Sequence, residues 1–148
     1  MRFKTKKYYG VVDMQKVSNW TGKLDDIVSL KRREPFEWGI NDCALFCADA
    51  IAATTGVDIA SSFRKRYTTA RGSVKVLANE GYKDLTDLAN KKLGKAVSTD
   101  RLSRGDAVEY ETENGTTLGI CMGTVIATPG VNGLVFTSMK QATKGWVV

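Results

Sequence analysis

The stretch WGINDCALFCADA, residues 38–50, sets a cysteine where it could act as a nucleophile. Asp42 is a good helix N-cap, so Cys43 falls in the first turn of the helix that follows. Unpaired backbone N–H groups and the helix dipole favour negative charge there. A thiol so placed is expected below its usual pKa of about 8.5, and the thiolate is the reactive form. A cysteine hydrolase also needs a base that takes the thiol proton and later protonates the leaving amine. Histidine suits this task because its pKa lies near working pH. The chain has no histidine among its 148 residues. Asp42 and Asp106 are the nearest carboxylates in the motifs. Asp42 is better explained as a cap, and Asp106 as the turn residue of Arg104-Gly105-Asp106, just before a strand.

The other two cysteines read as core. Cys47 lies one turn further into an apolar helix, and Cys121 sits inside an apolar strand. Cys43 and Cys47 are too poorly disposed on one helix face for a disulfide. No Cys-x-x-Cys pair or histidine completes a metal site. No cofactor is expected. Three free thiols suit a reducing compartment. The basic N-terminus is not followed by the apolar segment of a secretory signal. No run approaches the roughly 18 apolar residues of a membrane span. The chain is expected to be made and folded in a cytoplasm.

The net charge of +6 favours attraction to anionic surfaces without choosing among nucleic acid, cell-wall polymer and acidic protein. The charge is partly clustered, in MRFKTKKYY, in Lys31–Arg33 and in Arg64, Lys65 and Arg66 beside Tyr67. Basic residues next to an aromatic can bind phosphates and stack on bases. No nucleic-acid module is recognisable, and a nucleic-acid partner is not expected.

The elements that must position Cys43 follow from periodicity. Val17, Trp20, Leu24, Ile27 and Val28 predict a helix over Val17 to Leu30, stopped by Pro35. Phe36 to Asn41 is a loop. The helix from Cys43 is apolar nearly all round, which marks it as buried, and Gly56 caps its end. An irregular stretch follows. Two short helices come next, Ala70 to Asn79 with Val74, Leu77 and Ala78 inward, and Asp84 to Leu93 with Leu85, Leu88, Ala89 and Leu93 inward. Beyond Asp100 the pattern alternates. AVEYET is a strand, Asn114-Gly115 a hairpin turn and TLGICMGTVIAT one glycine-bent strand, and Pro129-Gly130 and Asn132-Gly133 turn the chain again. LVFTSM and GWVV close the chain as strands. Helices first and an antiparallel meander second predict an α+β domain.

The order of these pieces resembles the NlpC-type branch of the papain-like cysteine peptidases, and more closely the small NlpC-like proteins of tailed bacteriophages. PFEWGINDCALFCADAI is similar to that family's loop and nucleophile helix. The stretch from Thr54 to Tyr82 is similar to the phage group's insert. LSRGDAVEYE is similar to its first strand, and TLGICMGTVIAT to the strand that carries the histidine. The resemblance spans roughly residues 35–148. It implies an N-terminal basic arm and helix over 1–34 and an NlpC/papain-like α+β domain over 35–148, with a buried nucleophile-position helix packed on an antiparallel sheet.

Carried over residue by residue, the resemblance places the nucleophile at Cys43 and the histidine position at Thr117. The third member falls near Ala127 or Thr128. A vestigial pocket beside Cys43 would be lined by Trp38, Asp42, Thr117 and Thr128. A threonine hydroxyl cannot accept and release protons near neutral pH. The resemblance therefore implies a catalytically inactive structural component of a phage tail tip or baseplate hub, synthesised in the host cytoplasm. Its partners would be other tail proteins, and peptidoglycan if it engages the host wall. The basic arm and Lys31–Arg33 are candidate docking surfaces. The alternative is a peptidoglycan-cleaving peptidase whose base is a carboxylate or comes from a partner chain.

Overall fold

A computed structural model of the chain describes residues 14–148, so the basic arm read at residues 1–10 lies outside the described residues. Four helices come first: α1 (Trp20–Lys31), α2 (Cys43–Thr55), α3 (Ala70–Asn79) and α4 (Leu85–Leu93). Five strands follow: β1 (Ala107–Thr112), β2 (Gly115–Cys121), β3 (Val125–Gly130), β4 (Gly133–Ser138) and β5 (Ala142–Trp146). They form one sheet in the order β4-β3-β2-β1-β5, with every neighbouring pair antiparallel. The predicted α+β arrangement, N-terminal helices on a C-terminal antiparallel sheet, is the one observed.

Helix α2 is the centre of the molecule. Asp42 caps its start, accepting from Leu45 N–H at 3.0 Å, and Gly56 ends it in the left-handed conformation, φ 80°. Phe46 and Ile51 of α2, Leu24 and Val28 of α1, Ile120 and Ala127 of the sheet and Trp146 share one core. Burying each large apolar side chain there contributes about 1.5–3 kcal/mol. The opposite face of the sheet carries a smaller cluster of Val108, Tyr110, Cys121 and Ile126. The sheet is therefore apolar on both faces. Beneath the irregular segment 57–69, Leu45 and Ala48 of α2 meet Ala60, Phe63 and Val76 in a third cluster.

Several local expectations are corrected. Helix α1 begins at Trp20, because Val17 to Asn19 form a turn in which Trp20 N–H bonds Val17 O at 3.1 Å. Val74 is 64% exposed and Ala78 is also exposed, so α3 turns Val76 to the interior in their place, beside Leu77, which packs inward as expected. TLGICMGTVIAT is two strands, because Gly123 at φ 101° lets the chain reverse and Met122 N–H closes the turn on Val125 O. Pro129 and Gly130 end β3, and the turn is Val131-Asn132, enclosed by the paired Gly130 and Gly133. The first hairpin turns at Glu113-Asn114, with Gly115 already paired to Thr112.

Candidate functional site

The loop before α2 is fixed by its own polar groups. Buried Asn41 donates through Nδ2 to Pro35 O at 3.1 Å and Glu34 O at 3.3 Å, tying the loop back to the residues just after α1. Gly39 has φ 78°, and a Cβ there would collide with the Tyr67 backbone carbonyl. Lys65 N–H donates to Gly39 O at 2.9 Å. The Trp-Gly loop and segment 57–69 are thus stitched together, and only glycine permits the approach.

Asp42 is buried at the junction. Its Oδ1 accepts from Leu45 N–H, and its Oδ2 accepts from Gly39 N–H at 3.1 Å and from the Tyr67 hydroxyl at 2.6 Å. Both oxygens are committed to holding the loop, the helix and the 57–69 segment. Burial and the bond to Asp42 push the Tyr67 phenol far above its usual range, so Tyr67 is a fixed donor and never a base near neutral pH. The sequence held a signal for this in the Arg-Tyr stretch, which the charge pattern turned toward phosphate instead. Asn41 had no signal beyond its place beside the cap.

Cys43 meets the sheet where β2 and β3 part. The two strands pair only at Ile120–Ala127 and Cys121–Ile126. Beyond that point, Thr128 Oγ1 donates to Leu118 O at 2.9 Å, and the Leu118 N–H faces the Cys43 sulfur. The thiol does not have the lowered pKa expected from its helix position. Burial pushes it up, to about 11, against the opposing Leu118 amide, and the nearby Asp42 carboxylate adds to the rise. Desolvation of a charge outweighs the helix N-terminus here. Cys47 is core as expected, and its thiol donates to Gly119 O at 3.1 Å.

A cleft of about 1300 Å³ runs over Cys43, and Trp38, Asp42, Thr117 and Thr128 all line it. These five residues are among those that border the cleft. Strand alternation sets Thr117, Tyr110 and Thr128 on the same sheet face, opposite Leu118 and Ile120. Neither threonine is free to act. Thr128 is buried on Leu118 O, and Thr117 Oγ1 turns back to Gly115 O at 3.4 Å within its hairpin. Asp106 lies elsewhere, fully buried, where it accepts from Ser103 N–H at 2.8 Å and Val148 N–H at 3.0 Å and pairs with Lys16. It anchors the strand start and the C-terminal residue.

The basic cluster at 64–66 is largely neutralised. Arg64 pairs with Asp49 at 2.8 Å and Asp58 at 3.0 Å, and Arg66 pairs with Glu80. Lys31 likewise pairs with Glu34 and Asp49, at 2.9 and 3.3 Å. Among the described residues no group of side chains could hold a metal ion, and no helix is long and apolar enough to cross a membrane. The family described as a domain of unknown function, DUF6950, matches residues 15–148, and the chain belongs to it. No curated protein matches the chain.

Proposed function

We propose that this DUF6950 member is a hydrolytically silent NlpC-like domain, serving as a structural component of a bacteriophage tail tip or baseplate hub. The tail placement rests on the sequence resemblance. The observation that carries the loss of catalysis is the state of Cys43. Its thiol is held protonated, and the neighbouring carboxylate and hydroxyls are engaged: Asp42 by three donors, Tyr67 by Asp42, Thr128 by Leu118. General-base and general-acid steps are each worth about 10²–10⁴-fold, and no side chain at this site is free to supply them. What remains is a rigid α2–sheet junction with a cleft, suited to packing against neighbours in an assembly. The cleft itself favours a second reading, in which a partner chain brings the missing base and Cys43 cleaves peptidoglycan cross-peptides.

The test is digestion of purified peptidoglycan by the wild-type protein and by Cys43→Ala, with released peptides read by mass spectrometry. The silent-domain reading expects no release from either folded protein, alone or with tail proteins co-expressed. Release by wild type and not by Cys43→Ala would overturn it. Release only in the presence of a second tail protein would establish the partner-supplied base.

A further inference from the structure

We infer that the outer edge of β4 is a docking site for an extended, acidic segment of a partner protein, which adds to the sheet as a sixth strand. The two ends of the sheet are treated differently. At the β5 end, the edge is covered: Val97 and Gly145 exchange both backbone hydrogen bonds, at 2.8 and 3.2 Å. At the β4 end, only the first residues are covered, by Leu134 N–H donating to Arg32 O at 2.9 Å. That bond shows which way the strand faces. Leu134 points its N–H away from β3, opposite Pro129, which has none to offer. Alternation then turns the N–H and C=O of Phe136 and the N–H of Ser138 outward as well. Among the described residues nothing bonds to them.

Exposed edges are normally blunted by lysine, proline, a bulge or a covering segment. The strand GLVFTS has no charged residue and no proline, and its register with β3 is regular. Val135 is 47% exposed and Phe136 40% exposed, on opposite faces of the strand, and Val131 at the hairpin tip is 85% exposed. An incoming strand would cover apolar side chains on both faces while completing the main-chain ladder.

Charge selects the occupant. Arg32 and Arg33 are exposed at this edge, Arg32 lies 5.5 Å over the Phe136 ring, and neither forms an ion pair among the described residues. No Asp or Glu follows Glu113 in the sequence, so β2 to β5 present no carboxylate to them. A second copy of the chain would bring its own GLVFTS edge, which has no carboxylate to offer them. A partner strand lying beside Phe136 and Ser138, with carboxylates at its end toward Arg32 and Arg33, would pair with them, because guanidinium groups bind carboxylates in two-pronged fashion. This inference goes beyond the proposed function and does not depend on it.

The test uses two synthetic octapeptides, one alternating glutamate with valine and one alternating lysine with valine. Each is titrated into ¹⁵N-labelled protein and followed by NMR. The acidic peptide is expected to give saturable shifts centred on residues 134–138 and to protect the Phe136 and Ser138 amides from solvent exchange. The basic peptide is expected to bind at least ten-fold more weakly. Phe136→Pro removes an outward N–H without breaking the β3 ladder and is expected to abolish binding, with the Trp146 near-ultraviolet signal retained as the check on folding. The double variant Arg32→Ala, Arg33→Ala keeps the edge and is expected to weaken the acidic peptide about three- to ten-fold, since exposed ion pairs are individually modest. Equal response to both peptides, shifts centred on the Cys43 cleft, or no saturation would each overturn the inference. So would a concentration-dependent dimer that Phe136→Pro dissociates, because a second copy would then be the occupant.

Discussion

Asp42 could be read either as a spare catalytic carboxylate or as a structural hub, and replacing it separates the two. Asp42→Ala removes the acceptor of three hydrogen bonds at once, from Leu45 N–H, Gly39 N–H and the Tyr67 hydroxyl. Loss of an N-cap alone costs about 1 kcal/mol. The Tyr67 hydroxyl loses its acceptor in a partly buried site, which adds about 1–3 kcal/mol. The Gly39 N–H is buried with the loop and adds a similar amount, offset in part because a buried carboxylate no longer has to be desolvated. The expected total is about 3–4 kcal/mol, a large share of the 5–15 kcal/mol typical of a domain. Tyr67→Phe removes one of the three bonds and should cost about 1–2 kcal/mol. Because the two groups touch, the double variant should cost less than the sum, by about 1 kcal/mol or more. Urea unfolding of the four proteins, followed by tryptophan fluorescence, measures all of this. A cost below 1 kcal/mol for Asp42→Ala, with no coupling to Tyr67, would refute the hub reading and return Asp42 to the list of possible bases.

Further predictions concern the thiol and the sheet. Alkylation of Cys43 by iodoacetamide should rise with pH to a midpoint near 11, because the native thiol loses its proton only there, rather than at the usual value of about 8.5. An unfolded thiol ionises first, so the stability Cys43 contributes is complete below about pH 8.5 and is lost as pH rises through the folded value of about 11, a decline that Cys43→Ala should reduce. Gly119→Ala should destabilise the protein by about 1–3 kcal/mol in the same unfolding assay, because the added Cβ would run into Ile126 Cγ2 and lie 2.8 Å from Ala127 O. A neutral Gly119→Ala would show that β2 and β3 can separate at that point.

The parts of the molecule governed by neighbours along the chain were legible before folding. The Asp42 cap, the Gly56 stop and the boundaries of α3 were legible because capping and left-handed turns depend on one or two residues. The burial of α2 was legible because a helix apolar all round has no face to give to water. The helix-then-sheet order followed from the change of period near residue 100.

Tertiary structure decided what distant groups do to one another. The inward face of α3 was misjudged because Val74 and Val76 both fit a short helix, and only the position of the 57–69 segment settles which is covered. The single strand assumed after Thr117 broke at Gly123 because the strand needed a partner, and the nearest one was its own continuation. The Cys43 thiol was placed on the right helix terminus but given the wrong sign of shift. The dipole is visible in the sequence, whereas the desolvation that outweighs it comes from packing at the point where β2 and β3 part. The bond from Tyr67 to Asp42 spans 25 residues, and the chain must fold before either residue has a role.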